Sequence, residues 1–274
     1  MDGKKTQSEM ELLKQKLTST WMSGDFGRIA TSFETGAAQF VERLDLKPDM
    51  TVLDVACGTG NLAIPAACTG ADVTGLDIVP DLIVQAQNIA DTLGVKASFD
   101  IGDAEAMPYA DETFDVVMSM FGAMFAPRPD VVASELKRVC KPGGLITMAN
   151  WTPSGFIGQM FKITGKYVTP PAGMISPILW GDEDTVRERL SEGITGLELT
   201  RRTIDFVFPF GPADVVEHFR QFYGPTLKAF ESLDADTQPA LRADLEGLWA
   251  NNNTATDGTT LVSAEYMEVK AVCA

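Results

Sequence analysis

Twelve residues, Val52 to Ala63 (VLDVACGTGNLA), combine the residue types that a ligand-binding turn needs. Val52, Leu53 and Val55 make a short apolar strand, Gly58 and Gly60 a tight turn, and Asn61 onward the start of a helix. Glycine reaches backbone angles closed to other residues and leaves no side chain between backbone and ligand. Such a turn offers the amides of a helix N-terminus to polar or anionic groups, which is the chemistry of a nucleotide-type cofactor. An acid follows at the end of the next strand, Asp77 in GLDIVPDL. A carboxylate there can accept hydrogen bonds from both hydroxyls of a ribose. Capping of the following helix is the competing role for Asp77, but Pro80 and Asp81 already occupy that position.

Two cofactors fit a glycine turn of this kind. Gly58 to Ala63 satisfies G-x-G-x-x-G/A, and Asp77 lies at the distance a dinucleotide fingerprint expects, so an NAD-dependent oxidoreductase is one reading. Against it, Asp54 sits inside the strand and the glycines arrive only after Ala56 and Cys57. The order apolar-apolar-Asp-x-x-x-Gly-x-Gly resembles the first motif of class I S-adenosylmethionine-dependent methyltransferases, whose cofactor has no pyrophosphate to cradle. Further along, Gly102-Asp103-Ala104, Met107-Pro108, Phe114-Asp115 and Lys141-Pro142-Gly143-Gly144 follow in an order similar to the ubiquinone/menaquinone-biosynthesis type of small-molecule methyltransferases. That resemblance spans about Trp21 to Trp151.

The resemblance implies a role for each matching position. Asp54, Ala56, Gly58 and Gly60 line the methionine end of S-adenosylmethionine, Asp77 and Ile78 the ribose, and Asp103 and Ala104 the adenine. Met120 and Phe121 face the transferring methyl. An N-terminal segment covers the cofactor, which makes Trp21, Phe26 and Arg28 candidates for closing over it, or else aromatic staples of that segment. Lys141 to Gly144 have only a structural part. The reaction is an in-line displacement at a sulfonium methyl, where alignment alone lowers a barrier by roughly 7–11 kcal/mol. A hydroxyl acceptor would gain about 10²–10⁴-fold from a general base. Two weak candidates for that base or for an acceptor contact are His218, the sole histidine, and Tyr223. His218 also reads as a half-exposed residue bordering the apolar face of its helix. Met118, Met120, Phe121, Met124 and Phe125 would make an apolar mouth suited to an apolar or aromatic small-molecule acceptor, or simply core.

Composition narrows the partners. Lysine and arginine number 22 against 38 aspartates and glutamates, a net charge of −16. A field of that sign repels phosphate backbones and anionic membrane surfaces, so neither nucleic acid nor membrane is expected as a partner. The four cysteines, Cys57, Cys68, Cys140 and Cys273, lie far apart without a C-x-x-C pair; no metal site and no disulfide framework is expected. The polar N-terminus lacks a signal-peptide core and no run reaches membrane-spanning length, which suits a cytoplasmic protein.

The elements that must position these residues alternate. Strands are expected at Thr51–Val55, Asp72–Asp77, Val95–Ile101, Phe114–Met120 and Leu145–Asn150. Between them come helices at Asn61–Cys68, at Pro80–Gly94 with a stripe of Leu82, Ala86, Ile89 and Leu93, and at Asp130–Cys140 with Val132, Leu136 and Val139 buried. Alternation of this kind builds a parallel sheet covered on both faces. Before it, helices are expected at Ser8–Thr20 and Ile29–Leu44. After Trp151 the pattern loosens: a Gly/Pro-rich stretch over 153–179, a helix near Thr185–Leu190, strands near Glu198–Phe208, helices over Ala213–Phe222 and Thr237–Trp249, and a last strand, Thr260–Val272.

The expected fold is therefore α/β and doubly wound, Rossmann-like, with helical lid segments; seven strands with the last antiparallel are what the family resemblance adds. One domain over 1–274 divides into N-terminal cofactor-covering helices (1–48), a cofactor-binding core (49–152), substrate-side insertions (153–180 and 209–259) and the final helix and strands (181–208 and 260–274). The expected activity is methyl transfer from S-adenosylmethionine to a small molecule. The alternatives are an NAD-dependent oxidoreductase and a cofactor-binding protein without catalysis.

Overall fold

The computed structural model describes residues 7–274; residues 1–6, the beginning of the expected cofactor-covering segment, lie outside the described residues. The chain opens with α1 (Gln7–Met22), α2 (Phe26–Ala30), a 3-10 turn at Thr31–Phe33 and α3 (Glu34–Glu42). The single helix expected over Ile29–Leu44 is broken. The Ser32 hydroxyl donates to the Ile29 carbonyl at 2.6 Å and Thr31 to that of Arg28 at 3.0 Å, local bonds that compete with the helical ladder.

The alternating run follows as β1 (Thr51–Val55), α4 (Ala63–Ala67), β2 (Asp72–Asp77), α5 (Pro80–Leu93), β3 (Ser98–Ile101), β4 (Phe114–Met120), α6 (Pro129–Val139) and β5 (Cys140–Trp151). After it come α7 (Phe156–Tyr167), a 3-10 turn at Pro177–Gly181, α8 (Glu183–Arg189), β6 (Ile194–Phe208), α9 (Pro212–Phe222), α10 (Gly224–Glu231), α11 (Gln238–Asn252) and β7 (Thr260–Cys273). The strands form one sheet in the order β3-β2-β1-β4-β5-β7-β6. β1 to β5 pair in parallel, and β7 runs antiparallel to β5 from Leu145↔Val272 to Trp151↔Tyr266. The seven-stranded sheet with an antiparallel last strand is thus present. Its central strands are apolar on both faces, as parallel strands covered twice must be: Val52, Leu53, Val55, Val117 and Met118 are fully buried.

Several elements depart from expectation, each for a local reason. α4 starts at Ala63 rather than Asn61: the Ile64 and Ala66 N–H groups bond to the Gly60 and Leu62 carbonyls, but Pro65 between them has no N–H for the Asn61 carbonyl. α5 begins on Pro80 and ends at Gly94 with φ +68°, as the sequence indicates. Its buried stripe, however, is Leu82, Ile83, Ala86 and Ala90, while Ile89 and Leu93 are 41% and 63% exposed. α5 lies over β2 and β3, and β3 is an edge strand, shorter than expected and largely exposed. β5 starts early, at Cys140. The register with β4 passes from Phe114↔Cys140 to Val116↔Leu145, so Lys141–Gly144 bulges out of the strand, with Gly143 at φ +75°. Lys141 donates to Asp115 at 2.9 Å and the Thr51 N–H to the same carboxylate at 2.8 Å. The Thr51 bond, against the cost of burial and together with Lys141, holds Asp115 at a pKa of about 2. β6 is one continuous strand, and α7 and α10 are helices the sequence pattern did not indicate.

Two compact units divide the chain. One comprises 34–152, 175–202 and 266–274; the other comprises the residues up to Phe33, 153–174 and 203–265. In the first, a buried glutamate on β7 joins separate elements. Glu268 accepts from Arg43 Nε and Nη2 at 3.1 and 2.6 Å, and Arg202 Nε stands 3.0 Å away, an ion pair rather than a hydrogen bond. Arg43 also donates to the Tyr266 hydroxyl at 2.9 Å. The second unit is built around an aromatic core. The Trp249 ring meets Phe156, Phe206, Phe208 and Phe219 with centroids 4.5–5.9 Å apart, mostly in the edge-on geometry that aromatic quadrupoles favour.

Candidate cofactor site at the carboxyl edge of the sheet

β1 and β4 are neighbours, and the chain leaves β1 through α4 for β2 on one side and β4 through α6 for β5 on the other. In an open parallel sheet this switch point, outside the carboxyl ends of the strands, is where ligands bind. Two of the four described non-glycine residues with positive φ lie here, Ala56 (φ 57°) directly after β1 and Phe121 (φ 53°) directly after β4, beside Gly58 (φ 55°) and Gly60 (φ 88°). Backbone strain of this kind persists only where surrounding structure over-determines it. The two turns meet backbone to backbone. A Cβ on Gly122 would sit 2.8 Å from the Ala56 Cβ and closer still to the Ala56 carbonyl oxygen. Ser119 stitches them together, donating to the Val55 carbonyl at 2.7 Å and accepting from the Ala123 N–H at 3.0 Å.

Both acids of the turn converge on its backbone. Asp77, at the end of β2, accepts from the Gly58 N–H at 2.8 Å and from the Val79 N–H at 2.9 Å, one on each oxygen. Asp54, inside β1, accepts from the Ala63 N–H at 3.0 Å. Burial raises the pKa of Asp77 despite the N–H groups of Val79, Gly58 and Ile78. Burial likewise pushes Asp54 up to about 8, against the Ala63 N–H and helped by the charge on Asp77. Asp54 is therefore largely a neutral acid at pH 7. Cys57 lies between the two acids, its thiol pushed up by burial and by both carboxylates.

The remaining positions expected to line a site are distributed along the same edge. Ile78 follows Asp77 and is half-buried. Asp103 pairs with Ala106 in a tight turn, its carboxylate accepting from the Glu105 N–H at 2.8 Å, with Ala104 at the tip. Met120 is half-buried and pairs with Ala149 of β5. Phe121 is buried, stacked on Trp151 at 3.5 Å and edge-on to Tyr266 at 5.6 Å. The second unit holds the others. Phe26 packs on Trp21 and Phe33, and the Arg28 guanidinium lies 4.7 Å over the Phe222 ring, 3.3 Å from Asp25. His218 sits among Phe208, Phe210 and Phe222, with Nε2 3.4 Å from the Arg28 carbonyl oxygen. Tyr223 is buried against Trp21 and Phe219, which raises its phenol pKa. Sequence reasoning missed Ser119, Glu105 and Trp151. Among the described residues no group of three or more histidines, cysteines or acids could hold a metal ion.

The turn itself distinguishes the two cofactors. A pyrophosphate needs free amides at the helix start and no acid beneath them. Here the Ala63 N–H is taken by Asp54 and the Ile64 N–H by the Gly60 carbonyl, and residues 56 to 63 carry no cation. Such a turn suits a cofactor without phosphates. Each Asp77 oxygen accepts one N–H, and a carboxylate has about four lone-pair sites, which leaves capacity for ribose hydroxyls.

A methyltransferase-domain family model matches residues 46–183. An uncharacterised protein of Mycobacterium tuberculosis is 37% identical over 229 residues, 82% of this chain and 83% of its own length. Squalene methyltransferase 1 of Botryococcus braunii is 41% identical over 111 residues, 39% of this chain and 29% of its own. The crystal structure of the YcgJ protein of Bacillus subtilis shares the fold at a TM-score of 0.59 and 14% identity, covering 86% of this chain and 97% of its own.

Proposed function

This chain belongs to the methyltransferase-domain family, and from that premise we propose that it transfers the methyl group of S-adenosylmethionine to a small apolar acceptor. The observation that carries the reading is the switch-point turn, which binds its own acids through backbone amides and offers no phosphate cradle. When bound, S-adenosylmethionine supplies a methyl group on a sulfonium sulfur, an electrophile with a neutral leaving group. The chain's own part is alignment. Ala56, Gly58 and Gly60 present backbone to the amino-acid end, Asp77 and Ile78 receive the ribose, and Asp103 and Ala104 meet the adenine. Asp54 works from below, fixing the start of α4 as a buried neutral acid. Alignment without acid or base suffices for a carbanion-like carbon or a neutral amine acceptor; a neutral carbon acceptor would also need a base to take the proton it releases.

The apolar class of acceptor is supported by the Met120, Phe121 and Trp151 side chains along the edge of β4 and β5 and by the partial likeness to a squalene methyltransferase. Among the described residues no helix is long and apolar enough to cross a membrane, and all four cysteines are free. Both facts suit an enzyme of the reducing cytoplasm. Calorimetry is the test. S-adenosylhomocysteine should bind and NAD should not; the reverse would overturn the cofactor assignment. Labelled methyl transfer into a metabolite extract should then yield an apolar labelled product, and binding without transfer would identify a protein that only holds the cofactor.

A further inference from the structure

The loop that follows β3 carries Asp103 and Ala104, the residues assigned above to the adenine, and an Asp103↔Ala106 bridge closes its turn. Its shape is imposed from outside. Glu105, a side chain with no solvent exposure, accepts from the Arg128 backbone N–H at 2.6 Å and from Arg128 Nε at 2.7 Å. Arg128 immediately precedes α6, and its carbonyl accepts from the Val131 and Val132 amides. The buried carboxylate is thus compensated three ways: by a guanidinium, by a backbone N–H and by the positive end of an eleven-residue helix. Farther along α6, Glu135 accepts from the Met107 N–H at 2.7 Å, and Arg138 donates to the Met107 and Tyr109 carbonyls at 3.0 and 2.7 Å. α6 is in effect a splint for the loop, and Glu105–Arg128 is the fastening nearest Asp103, whose carboxylate accepts the N–H of Glu105 itself.

We propose that Glu105 and Arg128 are a positioning pair that fixes the turn at residues 103–106 and so sets affinity at the adenine end of the site. The proposal rests on the cofactor reading above. A charged side chain is taken out of water here, and each of its two oxygens accepts from Arg128, the residue that immediately precedes α6. Neither residue touches the cofactor; they act through Asp103 and Ala104.

Glu105→Gln keeps the shape of the side chain but turns one acceptor into a donor facing Arg128 Nε. Arg128→Lys keeps the charge and the backbone bond while losing the fixed fork. Calorimetric Kd values would be measured for S-adenosylhomocysteine and for 5′-methylthioadenosine, which has the adenine but no amino-acid end. Both variants should weaken both ligands by the same factor, about tenfold for Glu105→Gln, and raise KM for S-adenosylmethionine with kcat within about twofold. A fall in melting temperature with both Kd values unchanged would overturn the proposal, as would a loss confined to S-adenosylhomocysteine. Should Glu105→Gln fail to fold, Arg128→Lys decides by the same readings. Wild-type protein that binds neither ligand would instead overturn the cofactor reading on which the pair depends.

Discussion

Asp54 shows how a single residue can be legible in type and opaque in state. Its place in the strand before the glycines separates this turn from a dinucleotide turn. That it would be a buried acid with a pKa near 8, bonded to Ala63, depends on packing that no spacing reveals. The sign of its effect on stability follows. An aspartate in the unfolded chain ionises near pH 4, so between about pH 4 and 8 the native state holds a proton that the unfolded state has released. Stability therefore falls as pH rises through that window. At about 1.4 kcal/mol per pKa unit, the loss is on the order of a few kcal/mol. Asp54→Asn keeps an acceptor for Ala63 and should flatten the slope, as urea unfolding at pH 5 and pH 8 would report. Asp77→Ala should weaken S-adenosylhomocysteine binding roughly tenfold or more, because hydrogen bonds to a charged acceptor are worth about 1.5–3 kcal/mol; titration calorimetry checks it. For His218, ringed by three phenylalanines, packing is the better-supported part. His218→Ala should lower the melting temperature and leave kcat within about twofold.

Among elements, the central strands were the most legible, because each is a short stretch rich in apolar residues set between turn and helix signals: β1, β2 and β4 have the bounds their sequences indicate. Helices were harder where glycine and proline intrude. α10 opens with Gly224-Pro225, which reads as a break although proline is at home in a first turn. α7 carries Gly158 and Gly165 inside a stretch that looks like loop. The stripe of α5 was misplaced because Ile89 and Leu93 are apolar yet exposed, while Ile83 and the small Ala90 are the buried ones. Contact between turns is invisible to such patterns, and Gly122 tests it. Gly122→Ala puts a methyl into the Ala56 backbone, so it should both lower the melting temperature and reduce S-adenosylhomocysteine affinity. At Gly143 nothing lies within 4 Å of the added methyl. Gly143→Ala should cost only the left-handed strain of about 1–2 kcal/mol and leave affinity unchanged.

For the whole molecule, the alternation of strands and helices made a doubly wound sheet legible, and resemblance supplied the count of seven with one strand reversed. Neither tells which strands lie side by side, since neighbours in the sheet are chosen by crossovers rather than by local sequence. The chain also passes between its two units at 33/34, 152/153, 174/175, 202/203 and 265/266; of these only 152/153 coincides with a change of composition, the start of the Gly/Pro-rich stretch. A chain truncated before Thr260 should fail to unfold cooperatively in circular dichroism. β5 would lose its partner from Leu145 to Trp151, and Arg43 and Arg202 would lose the carboxylate they share. The placement of β7 between β5 and β6 has a consequence for how the protein is made. Both neighbours leave the ribosome before the strand that separates them, and residues 209–259, which carry α9 to α11, are synthesised before it. Throughout that interval two open edges face a gap, the kind of surface that invites pairing with another chain. Slow translation across that stretch, or a shortage of holdase chaperones, should therefore harm the yield of this protein more than its equilibrium stability would suggest.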